Sequence, residues 1–107
     1  MNIINKMEII TMVKGKIPES SLEDFKAAYV SMKEETLPEG LIASYMLKDM
    51  IESEVYTIET VWATPETLKK MMDSEETTAD VKLFEKFDVE PSIEVHEVRD
   101  NYPQFEE

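Results

Sequence analysis

Glu59 stands in the middle of Val55-Tyr56-Thr57-Ile58-Glu59-Thr60-Val61-Trp62, an otherwise apolar and β-branched run where a charge is unexpected. A carboxylate placed there could accept a proton from a bound acid. The plainer alternatives are a cross-strand ion pair with Lys14 or Lys48, or a contact within a dimer. His96, the only histidine, lies between Glu94 and Glu97 and is the second group that could move a proton. With Ile93 and Val95 facing inward, alternation turns His96 outward as a surface histidine, although Val98 then falls on its side. Trp62, the only tryptophan, could wall a pocket against a planar ring, or could be core where strand meets helix. Tyr29, Tyr45 and Tyr56 could donate to a substrate oxygen, yet each also fits an apolar stripe.

Other chemistries lack their residues. The chain of 107 residues has no cysteine, which excludes a disulfide framework, iron–sulfur ligation, a thiol nucleophile and cysteine-based zinc sites. It carries no H-E-x-x-H, no EF-hand loop and no phosphate-cradling glycine loop. Neither a metal nor a cofactor is therefore expected. Arg99 is a lone arginine and makes no anion site, and Met71-Met72 reads as core filler. The net charge of −13, from 24 acidic and 11 basic side chains, repels phosphate backbones and anionic lipid, so nucleic-acid and membrane partners are not expected. No signal peptide or membrane-length apolar run is visible, and a cytoplasmic location is the default.

The elements that must position these residues follow from periodicity. Met7 to Ile17 carries apolar side chains on both alternating faces and reads as a central strand ended by Pro18. Ser20-Ser21-Leu22-Glu23 reads as a capping box opening a helix from Ser21 to about Glu35, with Leu22, Phe25, Tyr29 and Met32 at helical spacing. Leu37-Pro38-Glu39-Gly40 is a turn. Leu41 to Lys48 is a second strand, with Leu41, Ala43, Tyr45 and Leu47 on one face. Val55 to Trp62 is a third, joined to it by a polar hairpin. Thr64-Pro65-Glu66 opens a second helix with Leu68, Met71 and Met72 inward. Ala79 to Phe87 is a short helix with Val81, Phe84 and Phe87 inward, and Ser92 to Arg99 is a fourth strand.

The order is β-α-β-β-α-β, an α+β ferredoxin-like plan: a four-stranded antiparallel sheet with its helices on one face. Residues 7–99 form the domain, 1–6 an N-terminal extension and 100–107 an acidic C-terminal tail. The sheet face away from the helices is too apolar to leave in water, and a second copy of the same sheet is the simplest cover, so a homodimer is expected.

This plan, with Ile58-Glu59-Thr60-Val61-Trp62-Ala63-Thr64-Pro65-Glu66-Thr67-Leu68, the turn Pro38-Glu39-Gly40 and the strand end Leu47-Lys48-Asp49, resembles the antibiotic biosynthesis monooxygenase-like family of dimeric α/β barrels. The resemblance covers about Met7 to Arg99. It implies a pocket between sheet and helices near Trp62. It also implies a cofactor-independent monooxygenase acting on a small quinol-like or phenolic substrate. A non-catalytic ligand-binding or assembly module and a small-metabolite isomerase are the alternatives on the same scaffold. The haem-degrading branch would supply a histidine after strand three and an asparagine on strand one. This chain has no histidine between Thr64 and Pro91, and Thr11 or its neighbours stand where the asparagine would be.

Overall fold

The computed structural model describes residues 8–34, 40–63, 66 and 78–98. Four strands, β1 (Ile9–Lys16), β2 (Leu41–Lys48), β3 (Val55–Trp62) and β4 (Ser92–Glu97), form one antiparallel sheet in the order β2-β3-β1-β4. The two strands that are apolar on both faces, β1 and β3, are therefore central, as their sequences require. Helices α1 (Leu22–Glu34) and α2 (Ala79–Glu85) cover one face. The helix expected from Thr64, the turn at Leu37-Pro38-Glu39, the N-terminal extension and the acidic tail lie outside the described residues, Glu66 apart.

Register fixes which side chains share a face. Val13 pairs with Ile58 and Gly15 with Tyr56, and Phe25, Tyr29, Val81, Leu83 and Phe84 pack over them as the main core. The Phe25 ring lies 5.0 Å from that of Phe84 and 5.5 Å, edge-on, from that of Phe87. Gly15 is required by this packing: a Cβ there would lie 2.8 Å from both Phe84 Cδ1 and Val89 Cγ1.

Two local expectations are corrected. The start of α1 is not a capping box. Glu19–Ser21 forms a 3₁₀ turn in which Ser21 N–H donates to Pro18 O at 2.9 Å, and the α-helix begins at Leu22. Glu23, meant to reach back to Ser20, faces Lys26 at 3.7 Å instead. On β2, Leu41 does not share a face with Ala43. Leu41 pairs with Trp62 and Ala43 with Val61, so Ile42 is a bulged extra residue and the alternation inverts across it. Leu41 thereby joins Ile9 and Trp62 in a satellite cluster on the helix side, while Ala43, Tyr45 and Leu47 keep the opposite face.

The β2–β3 hairpin turns through an Asp49 side-chain bond. Asp49 Oδ2 accepts from Ile51 N–H at 3.0 Å and from Glu52 N–H. These bonds, the Glu52 one first, hold the Asp49 carboxyl below its usual range.

Candidate functional site

Alternation on the three pairs of strands divides the five candidate residues on the sheet between two surfaces; the sixth, Tyr29, lies on α1. Tyr56, Ile58, Thr60 and Trp62 of β3 face the helices; Val55, Thr57, Glu59 and Val61 face away. Glu59 pairs with Met12 on one side and Tyr45 on the other, and Met12 pairs with Glu94. The open face thus carries a row Tyr45–Glu59–Met12–Glu94. The neighbouring row is Ala43–Val61–Ile10–His96.

His96 Nε2 lies 2.9 Å from Glu94 Oε1, two residues back on the same face, and both side chains are more than half exposed. His96 is therefore a surface histidine on the side away from the helices. Glu59 is partly buried and, among the described residues, pairs with neither lysine considered for it. Lys14 lies on its face, diagonally across at the β1 position opposite Thr57; Lys48 pairs with Tyr56 and so belongs to the other face.

Trp62 is buried, and its indole N–H donates to Thr11 Oγ1 at 3.1 Å, with Thr11 itself buried. A buried N–H needs such a partner. In the sequence Thr11 is notable only as standing where haem-degrading relatives would carry an asparagine; the strand pairing brings it beside Trp62 across 51 residues.

Tyr29 and Tyr56 meet in a groove of about 520 Å³ between α1 and the β2–β3 edge. From α1 come Leu22, Lys26, Tyr29 and Val30, a stripe at helical spacing beside the core stripe; from the sheet come Met46, Lys48 and Tyr56. Tyr29 and Tyr56 are buried, whereas Val30 is 50% exposed. The Tyr29 hydroxyl and Ser44 Oγ share a hydrogen bond of 2.9 Å, which ties α1 to β2. Ser44, Met46 and Lys48 alternate on the helix side of β2, so the strand itself places Lys48 at this groove. A second depression of about 420 Å³ lies between α1 and α2, floored by Met32 and Leu83 and rimmed by Lys82 and Lys86.

The structure therefore brings Tyr29 and Tyr56 together. It places Tyr45, Glu59 and His96 on the opposite face and seats Trp62 in its own cluster. Lys26 and Lys48 complete the groove. Of the two lysines that could pair with Glu59, Lys48 is turned to the other face by the alternation of β2 past Tyr45. Among the described residues no three His, Asp or Glu side chains converge as metal ligands. No described helix is long and apolar enough to cross a membrane.

No protein-family model and no curated protein matches the chain. Solved structures do. A Deinococcus radiodurans protein named for the antibiotic biosynthesis monooxygenases matches with a TM-score of 0.63 at 8% identity, over 92% of this chain and 99% of that one. An N63A mutant of SnoaB, a cofactor-independent oxygenase from Streptomyces nogalater, matches with a TM-score of 0.62 at 10% identity, over 91% and 98%. The haem-degrading protein Rv3592 of Mycobacterium tuberculosis matches with a TM-score of 0.59 at 17% identity, over 94% and 100%. The fold is thus that of the antibiotic biosynthesis monooxygenase-like structures, a ferredoxin-like α+β domain. At these identities the likeness is one of fold.

Proposed function

We propose that this protein is a cytoplasmic homodimer that oxygenates a small phenolic or quinol-like substrate without a cofactor. The observation that carries this reading is the groove walled by Tyr29 and Tyr56 and floored by Met46, in a fold shared with a cofactor-independent oxygenase. Its size suits a substrate of one or two rings. The reaction needs a phenolate, O₂ and little else. The ammonium of Lys48 at the groove favours the phenolate over the phenol, and the released proton leaves to solvent at the mouth. The phenolate passes an electron to O₂, the radical pair joins as a C–O bond, and loss of the ring hydrogen with cleavage of O–O leaves a quinone carbonyl and water. One phenol and one O₂ give one quinone and one H₂O.

Glu59, Tyr45 and His96 would serve instead if the substrate lay on the open sheet face beneath a second copy. The variants separate the two placements. Glu59→Gln abolishes turnover if the open face is the site and leaves it intact if the groove is; Lys48→Gln does the reverse.

The homodimer is supported by the same open face. Tyr45 is 52% and Leu47 42% exposed there, beside partly buried Ile10, Met12 and Val61. Light scattering at micromolar protein should give twice the chain mass, and Leu47→Lys should give a monomer. A monomeric wild type overturns this part of the proposal.

One observation favours a second reading, a ligand-binding module without turnover. No described residue lining the groove is a carboxylate or an imidazole. O₂ uptake with a panel of hydroquinones and polyphenols, with chelator present and autoxidation subtracted, decides between them. Saturable uptake is expected; none above autoxidation across the panel rejects oxygenation and leaves the binding module.

A further inference from the structure

We infer that the ligand of the α1–β2 groove is an aromatic acid, its ring against the apolar wall and its carboxylate on Lys48. This names the ligand class of the groove already proposed as the substrate site.

The groove runs against the electrostatics of the chain. The protein carries 24 acidic residues against 11 basic, yet the described groove lining holds two lysines and no acid. The two are not equivalent. Lys26 faces Glu23 at 3.7 Å on the outer surface of α1 and is partly compensated. Lys48 makes no ion pair with any described residue. Strand alternation, rather than a flexible loop, sets it on the helix side beside Met46. Its backbone is fixed by pairing with Tyr56, which lies in the same groove.

The rest of the lining is suited to a ring. Tyr56 and Tyr29 are 7% and 6% exposed, whereas Val30 beside them is half exposed. A planar ligand covering Val30 and Met46 would remove apolar surface from water. The lining thus combines apolar surface with two ammonium groups, of which Lys48 is the one without an ion-pair partner among the described residues. A neutral ring of the same shape would cover the same surface but would take water from the ammonium and return no charge-assisted hydrogen bond. That difference is the source of selectivity.

The test is calorimetric binding of 6-hydroxy-2-naphthoate and of its methyl ester under anaerobic conditions, so that no turnover contributes. The acid should bind about two- to fivefold more tightly than the ester, the scale of one partly exposed charge pair. Raising the salt concentration should weaken the acid and spare the ester. Lys48→Gln should erase the preference and Lys48→Arg should keep it. Val30→Glu, at a half-exposed position, should weaken the acid more than the ester, with circular dichroism confirming the fold of each variant. Equal binding of acid and ester, a preference that survives Lys48→Gln, or failure of both compounds to bind overturns the inference. Anaerobic binding of the acid with no O₂ uptake on it when the same mixture is aerated defeats the oxygenase reading alone. Oxygenation of neutral phenols with no preference for the acid defeats this inference alone.

Discussion

Thr11→Val is the substitution whose effect follows most directly from the structure. Valine keeps the shape of threonine but removes the oxygen that accepts the Trp62 indole N–H at 3.1 Å. Both side chains are buried, Thr11 at 8% and Trp62 at 4% exposure, so water cannot readily take the place of the lost acceptor. Leaving one buried donor unpaired costs about 1–3 kcal/mol. For a domain of this size that lowers the melting temperature by roughly 4–8 °C per kcal/mol. Thr11→Ser, which keeps the oxygen, should lose distinctly less. Trp62→Phe removes the donor and part of the ring, so it costs stability through the packing it forfeits. In the double variant no donor is orphaned, and the combined loss should fall short of the sum by about 1 kcal/mol. The assay is urea unfolding followed by far-ultraviolet circular dichroism, because Trp62 is the only tryptophan and its fluorescence vanishes in two of the variants. Protein concentration is held fixed, since any self-association would shift apparent stability. A Thr11→Val protein within about 0.5 kcal/mol of wild type, or a strictly additive cycle, would refute the buried hydrogen bond and the β1–β3 register that creates it.

Gly15→Ala should destabilise by about 1–3 kcal/mol in the same assay, because the new Cβ meets the fully buried Phe84 ring and the backbone pairing of β1 cannot move aside. Adding Phe84→Leu should recover part of that loss by making room. At the hairpin, the folded-state pKa of Asp49 is depressed by its bonds to the Glu52 and Ile51 amides, so its contribution is present above the unfolded-state pKa and lost as pH falls through the folded value. Asp49→Ala should therefore be less stable than wild type at neutral pH. Thermal melts of the two should converge as pH drops below the usual carboxylate range.

The sheet was legible because its alternation is strong. Ile9 and Val13 against Ile10 and Met12, and Tyr56 and Ile58 against Val55 and Val61, point to opposite faces as their sequence positions demand. The bulge at Ile42 was not legible. Leu41, Ile42 and Ala43 are all apolar, so the sequence offers no contrast by which an extra residue could be seen. The 3₁₀ start of α1 escaped for a related reason. Ser20 and Glu23 have the spacing of a capping box, but that spacing does not say whether the first turn is wound as 3₁₀ or α. The groove depended on how α1 lies across the β2–β3 edge. Its stripe of Leu22, Lys26, Tyr29 and Val30 overlaps the core stripe and separates from it only once that packing is known.

The parity of β3 limits what one chain can do. Tyr56 and Trp62 occupy one face of the strand and Glu59 the other, and no rotamer carries a side chain through a sheet paired on both sides. A mechanism that uses Glu59 to deprotonate a substrate seated against Tyr56 is therefore barred within one chain. Under the proposed oxygenation, either the proton is managed by the charge at the groove, where Lys48 stands, or the reaction occurs on the open face, where Glu59 has Tyr45 as its cross-strand neighbour. A second copy laid on that face does not lift the restriction, because it covers Glu59 while leaving the groove on the outside. The two surfaces are separate as binding sites. A Glu59 variant and a Lys48 variant should not both abolish turnover of one substrate while the fold stays intact, and activity lost equally in both would mean that the strand pairing is wrong.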